Sequence, residues 1–89
     1  MSASVKYLET VREFVVDNFL FGDGMNVNEN TPLFEKGIID STGVLELVAF
    51  LEENFNITIL DEELIQDNFF NLKAIERLLR SKNNKSNLN

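Results

Sequence analysis

The sequence contains neither cysteine nor histidine. The absence of cysteine excludes a disulfide framework and a thiolate metal site. The absence of histidine removes the usual general base, the Ser–His and Cys–His nucleophile pairs and the commonest zinc ligand. We therefore expect a protein that is not an enzyme, with no catalytic residue and no metal.

Basic residues are also scarce, since 8 Lys and Arg face 15 Asp and Glu, which gives a net charge of −7 at pH 7. A chain this acidic is repelled by nucleic acids and by anionic membrane surfaces. No apolar run approaches the roughly 20 residues of a membrane span, and charged residues interrupt positions 1–16, unlike a signal peptide. The sequence predicts a cytoplasmic protein that binds neither nucleic acid nor membrane.

The composition that remains is that of a globular domain. The 89 residues are 44% hydrophobic and 26% charged, which is ordinary for a folded chain. This length suits one domain and leaves no room for a second. We place the domain at residues 1–80 and predict a flexible polar tail at 81–89, which is mostly Ser, Lys and Asn.

Helical spacing of apolar residues predicts a first helix over residues 4–21, ended by Gly22. A long loop, residues 22–39, follows. Within it Thr31-Pro32 predicts the cap and first position of a single helical turn that Gly37 closes. We expect the apolar residues of this loop to pack onto the core.

A second helix is predicted from Asp40 or Ser41 to Phe55, because Asp40 is a favourable N-cap residue. One apolar stripe at helical spacing should face the core. Its members are Val44, Leu47, Val48, Leu51 and Phe55.

Two more helices are predicted after residues 57–59, whose alternating pattern we interpret as a loop because a lone strand has no partner. A short third helix should begin at Asp61, with Leu60 and Ile65 as a hydrophobic staple. The last should run over residues 71–80. The sequence thus predicts an all-α fold of four helices, with a short third helix and a long loop between the first two.

The charges are unevenly distributed, and no lysine or arginine occurs between Gly37 and Leu72. On a helical wheel, part of the second helix opposite or flanking the core stripe is apolar and rimmed with carboxylates. These positions are Leu45, Glu46, Ala49, Glu52 and Glu53. Periodicity alone leaves two interpretations open: a solvated acidic face, or a docking surface for basic partners.

Ser41 stands where the long loop enters the second helix, and three roles are conceivable. A hydrolase nucleophile is rejected, because residues 39–43 lack the first glycine of the Gly-x-Ser-x-Gly motif and no histidine can activate the hydroxyl. A helix-start residue and a modification site both remain. A phosphate on such a serine would meet free backbone N–H groups and the positive end of the helix dipole.

Residues 37–41, followed by residues 44–55, resemble the acyl and peptidyl carrier protein family. The Asp40-Ser41 pair matches the family's attachment motif. The resemblance continues through residues 57–64 and covers nearly the whole chain, from the first helix to Arg80.

The resemblance implies a four-helix carrier-protein bundle. Ser41 would bear a 4′-phosphopantetheine arm, taken from coenzyme A by a phosphopantetheinyl transferase whose recognition Asp40 assists. The arm would hold biosynthetic intermediates as thioesters. The remaining carried-over positions would form a docking face for partner enzymes. They are Thr42, Leu45, Glu46, Ala49, Glu52 and Glu53. A small acidic carrier of this kind would be a monomer.

The sequence departs from the common pattern after the serine, where many fatty-acid carriers have leucine and this chain has Thr42-Gly43. A glycine in a helix costs about 1 kcal/mol relative to alanine. The pair is similar to that of stand-alone carriers that work with a dedicated adenylating ligase. This implies loading by such a ligase or an acyltransferase, then tailoring or condensing enzymes, in specialised biosynthesis. The alternatives are a housekeeping fatty-acid carrier and an unmodified acidic adaptor of the same fold.

Overall fold

The computed structural model describes residues 3–20 and 27–87, and side chains for residues 6–20 and 27–82. The regular secondary structure of these residues is entirely helical, with no β-strand among them, as the all-α prediction requires. The elements are α1 (Ala3–Phe19), α2 (Ser41–Phe55), the 3₁₀ turns Asp61–Glu63 and Gln66–Phe69, and α3 (Leu72–Asn87). The predicted four-helix count is not confirmed, because a 3₁₀ turn replaces the expected third helix.

The first helix buries one face of its amphipathic surface. Val11 and Val15 are fully buried, and Leu8 and Phe19 are partly buried against the same core. α1 ends at Phe19 in the structure, and the predicted terminator Gly22 lies outside the described residues.

The second helix has the predicted bounds, and both ends have clear chemical causes. Asp40 is extended, and its Oδ1 accepts a hydrogen bond from the Gly43 N–H at 2.8 Å. At the other end Asn56 adopts a left-handed conformation with φ of 56°, and its N–H donates to the carbonyl of Glu52. A left-handed residue after the last turn ends helices because it redirects the chain.

The described part of the long loop contains the predicted single turn. The Lys36 N–H donates to the Pro32 carbonyl at 3.0 Å, and Gly37 ends the turn at φ of +70°, where a side chain would be strained. Contrary to the prediction that Thr31 caps this turn, its hydroxyl makes no hydrogen bond to the turn. Its Oγ1 instead accepts from the Asn28 N–H at 2.9 Å and closes the preceding turn.

The loop is bonded to the start of the last helix. The Leu33 N–H donates to the Phe70 carbonyl at 2.8 Å, and the Lys73 N–H donates to the Glu29 carbonyl at 3.1 Å. Leu33 is fully buried. These contacts confirm that the apolar loop residues pack onto the core, over the part of the loop that the structure describes.

The last helix is capped as predicted, since the Ala74 N–H donates to Asn71 Oδ1 at 2.7 Å. It does not end at Arg80 but continues to Asn87. Lys82, which the sequence assigns to the tail, is only 8% exposed. The flexibility of residues 81–89 stays a prediction.

The core lies among the three helices and is completed by residues of the loops. Aromatic contacts flank it: Phe14 and Phe50 stack with ring centroids 4.2 Å apart, and Tyr7 meets Phe55 edge-on. Its buried members include Val11, Val15, Val27, Leu33, Ile39, Leu47, Leu51, Ile59, Phe69, Leu72, Ile75 and Leu79. The packing brings the loop, the start of α2 and the 3₁₀ turns together around Ser41.

Candidate functional site

Ser41 is the first residue of α2 and is exposed. Asp40 precedes it, and its side chain and carbonyl accept the N–H groups of Gly43 and Val44, at 2.8 and 2.9 Å. The N–H groups of Ser41 and Thr42 belong to the first turn, where no intrahelical acceptor exists. The site therefore offers an accessible hydroxyl at the positive end of a helix dipole, which favours an anion attached there.

The glycine at position 43 has a packing reason. It is buried, and a Cβ atom on it would lie 3.0 Å from both Ile39 Cγ1 and Phe19 Cε1. Cβ contacts this close are uncommon, so with a larger residue the Ile39 and Phe19 side chains would have to move by a few tenths of an ångström. Glycine is unfavourable in a helix, but its lack of a side chain permits α2 to pack closely against Ile39 and Phe19 at this position.

A cavity of about 200 Å³ opens beside Ser41. Leu45, 60% exposed, borders it on α2, and Ile65, 50% exposed, borders it between the two 3₁₀ turns. Its lining is mostly apolar. The lining residues are Phe34, Ser41, Val44, Leu45, Leu64, Ile65, Gln66 and Phe69.

Most of the predicted docking residues are exposed on the first turns of α2 and along one side of it. They are Asp40, Thr42, Leu45, Glu46, Ala49 and Glu53. Glu52 differs, because it is half-buried and its Oε2 accepts a hydrogen bond from the Ile59 N–H at 2.9 Å. Its carboxylate holds the loop after α2, a structural contact that the sequence did not predict.

Sequence reasoning missed Ile65 as a residue beside Ser41. The predicted staple with Leu60 is wrong, since the two side chains are 50% and 43% exposed. A staple requires a helix long enough to bring both residues onto one face, whereas a 3₁₀ turn of three residues begins at Asp61. The available signal was the apolar pair Leu64-Ile65 between the acidic and polar residues of positions 61–68.

Within the described residues, no group of three or more acidic side chains is arranged to hold a metal ion. None of the helices in that part of the chain is long and apolar enough to cross a membrane.

Comparison with known proteins gives no matching family model, but it gives named relatives. The "Probable acyl carrier protein PigG" of Serratia sp. (strain ATCC 39006) is 30% identical over 66 residues, 74% of this chain and 76% of that protein. The "D-alanyl carrier protein" of Streptococcus pyogenes serotype M1 is 32% identical over 62 residues, 67% of this chain and 78% of that protein. The chain belongs to the acyl carrier protein family.

This carrier protein also resembles a solved structure. One chain of a structure described as "Crystal structure of FAD-dependent dehydrogenase" matches it with a TM-score of 0.71 and 28% sequence identity. The match covers 78% of this carrier and 97% of the matched chain. The fold of the carrier is therefore shared over almost the whole of that chain.

Proposed function

We propose that this carrier protein holds acyl or aminoacyl groups on a 4′-phosphopantetheine arm attached to the Oγ of Ser41, and is not itself a catalyst. The observation that carries the proposal is the exposed Ser41 at the N-terminus of α2, beside a cavity, in a chain of the carrier family. When attached, the arm supplies the thiol that this cysteine-free chain lacks, and with it a thioester linkage for the cargo.

The residues around Ser41 fit such a group. A phosphodiester at Ser41 Oγ would lie next to the first-turn N–H groups of Ser41 and Thr42, where the dipole favours a negative charge by about 0.3–1 kcal/mol. Asp40 keeps its cap on Gly43 and leaves the Ser41 side chain exposed. The apolar lining beside Ser41 offers a place against which the arm or its cargo can pack.

We propose further that the cargo is small and is loaded by a dedicated adenylating ligase, in specialised biosynthesis. Two observations support this: the Thr42-Gly43 pair and a relative named for a D-alanyl group. A housekeeping fatty-acid role is less well supported.

The proposed docking face on α2 suits partner enzymes with basic, partly apolar surfaces. Leu45 supplies an apolar contact and Glu46 and Glu53 supply charge, all exposed. The partners that we propose are a phosphopantetheinyl transferase, a loading ligase or acyltransferase, and tailoring or condensing enzymes. The similarity to a chain of an FAD-dependent dehydrogenase structure supports a flavin-dependent dehydrogenase as a tailoring partner. A monomeric state and a cytoplasmic location remain part of the proposal.

The test is the intact mass of the purified protein after incubation with coenzyme A, Mg²⁺ and a broad-specificity phosphopantetheinyl transferase. We expect the mass to increase by one phosphopantetheine, and no increase in Ser41→Ala. Thr42→Ala, which changes the neighbouring hydroxyl, is the matched control and should still be modified. A folded parent protein that neither gains an arm nor already carries one would favour the unmodified acidic adaptor.

A further inference from the structure

We propose that the ion pair between Lys82 and Glu63 positions residues 64–66, which line the cavity beside Ser41, and thereby sets how well enzymes dock on this carrier. Lys82 lies on α3 and Glu63 ends the first 3₁₀ turn. Both would act as positioning residues, since neither lines the cavity. The inference rests on the proposed function, because it concerns recognition at Ser41.

Glu63 joins three parts of the structure. Its Oε1 contacts Lys82 Nζ and also accepts a hydrogen bond from the Leu60 N–H at 2.9 Å. Its carbonyl accepts from Asn68 Nδ2 at 2.8 Å. The side chains of Lys82 and Glu63 are only 9% and 19% exposed. An ion pair shielded from solvent to this degree is screened less by salt than a surface pair.

Residues 64–66 depend on these contacts because little regular structure holds them. Leu64 and Ile65 connect two 3₁₀ turns of three and four residues, and Gln66 begins the second turn. Such turns have poorer hydrogen-bond geometry than an α-helix. Leu64 follows Glu63 directly and lines the cavity together with Ile65 and Gln66. A displacement of Glu63 is therefore transmitted to the part of the cavity lining formed by residues 64–66.

A second ion pair on the same helix provides a matched control. Arg80 Nε lies 2.8 Å from Glu76 Oε2, one turn away within α3, and the Arg80 side chain is 54% exposed. Its removal changes the charge of α3 by the same amount as the removal of Lys82. The Glu76 side chain is only 7% exposed, so the loss of Arg80 would leave a buried carboxylate without its partner, a cost that lies within α3 and does not involve Glu63. Only the loss of Lys82 should therefore affect the cavity.

The experiment compares Lys82→Met with Arg80→Met in two measurements. The first is amide hydrogen exchange by NMR in the protein without the arm, where Lys82→Met should accelerate exchange at Leu64, Ile65 and Gln66. The second is the steady-state kinetics of arm transfer by a phosphopantetheinyl transferase. If the docking-competent fraction falls to about one fifth, KM for the carrier rises about fivefold. The kcat should change less than about twofold, because the reacting atoms are untouched.

Two outcomes decide the proposal, and a second variant replaces Lys82→Met if that variant does not fold. Lys82→Arg, which keeps the charge, should restore most of the parent KM. Equal exchange and equal KM in Lys82→Met and Arg80→Met would overturn the proposal. If circular dichroism shows that Lys82→Met does not fold, Lys82→Gln replaces it, with the same expected results.

The two proposals fail separately. A parent protein that accepts no arm refutes the proposed function. The exchange rates at residues 64–66 still test the positioning role, since that measurement requires neither the arm nor a partner enzyme.

Discussion

At the scale of the residue, Gly43 combines an unfavourable helix propensity with a packing constraint. Its position in the first turn of α2 is unfavourable for a helix, yet a Cβ atom there would approach Ile39 and Phe19 to 3.0 Å. The low helix propensity could be predicted from the sequence, since a glycine follows Ser41-Thr42 at the start of the predicted helix. The packing constraint could not be predicted, because Phe19 is distant from Gly43 in the sequence and approaches it only in the folded protein.

Gly43→Ala should therefore destabilise the protein, although helix propensity alone would make it about 1 kcal/mol more stable. Overpacking of this kind typically costs about 1–3 kcal/mol. Urea unfolding followed by circular dichroism measures the difference. Asn54→Ala, at an exposed position of α2, is the control and should leave stability nearly unchanged. A Gly43→Ala variant more stable than the parent would show that the backbone adjusts to the extra methyl group.

Asp40 combines a structural and a proposed recognition role that two substitutions can separate. Asp40→Ala removes the hydrogen bond to Gly43 and should cost about 0.5–2 kcal/mol of folding free energy. Asp40→Asn retains a good capping side chain without the charge, so it should remain nearly as stable as the parent. We expect arm transfer to slow in both variants. Transfer to Asp40→Asn at the parent rate would show that the carboxylate contributes only the cap.

At the scale of the element, the helices with local start and stop signals are predicted well. α2 begins after Asp40 and ends before Asn56, and both signals lie in adjacent residues. The third predicted helix fails because Asp61 signals a start without fixing a length, and the segment forms 3₁₀ turns tied by Glu63. α3 extends beyond Arg80, and the burial of Lys82 depends on a contact with Glu63 that periodicity does not reveal. The same reasoning placed Ser41 at the start of α2 and missed Ile65 beside it.

The loop after α2 depends on Glu52, which sequence analysis assigned to the docking face. Glu52→Ala would leave the Ile59 N–H without its acceptor, at an expected cost of about 2 kcal/mol, because unpaired buried donors are penalised. Glu53→Ala, at the neighbouring exposed position, should change stability by less than about 0.5 kcal/mol. Urea unfolding of both variants tests this. Equal stability would show that the Glu52 hydrogen bond contributes nothing in water.

At the scale of the whole molecule, charge is separated between faces. The net charge is −7, and α2 carries acids but no lysine or arginine, whereas exposed Lys73 and Arg77 lie on α3. Opposite charges on two proteins increase the rate of encounter, and added salt weakens the effect. We therefore propose that the carrier approaches a partner enzyme with α2 facing the partner's basic surface.

Reversal of charge on α2 tests this orientation. Glu46→Lys combined with Glu53→Lys should lower kcat/KM for arm transfer at low salt, and the difference should shrink as salt is added. Glu9→Lys combined with Glu13→Lys changes the net charge by the same amount. Both positions are exposed on α1 and do not belong to the proposed docking face. The α1 variant should be affected much less. Equal losses in both would indicate that only total charge matters.

The backbone bonds that tie Leu33 to Phe70 and Lys73 to Glu29 have a consequence for biosynthesis of the carrier itself. During translation, α1, the loop and Ser41 are synthesised before Phe70 and Lys73. Until then the loop lacks its anchor and the cavity lacks the side formed by residues 64–66. Attachment of the arm should thus follow completion of the chain, as an event on the finished protein and not on a nascent one.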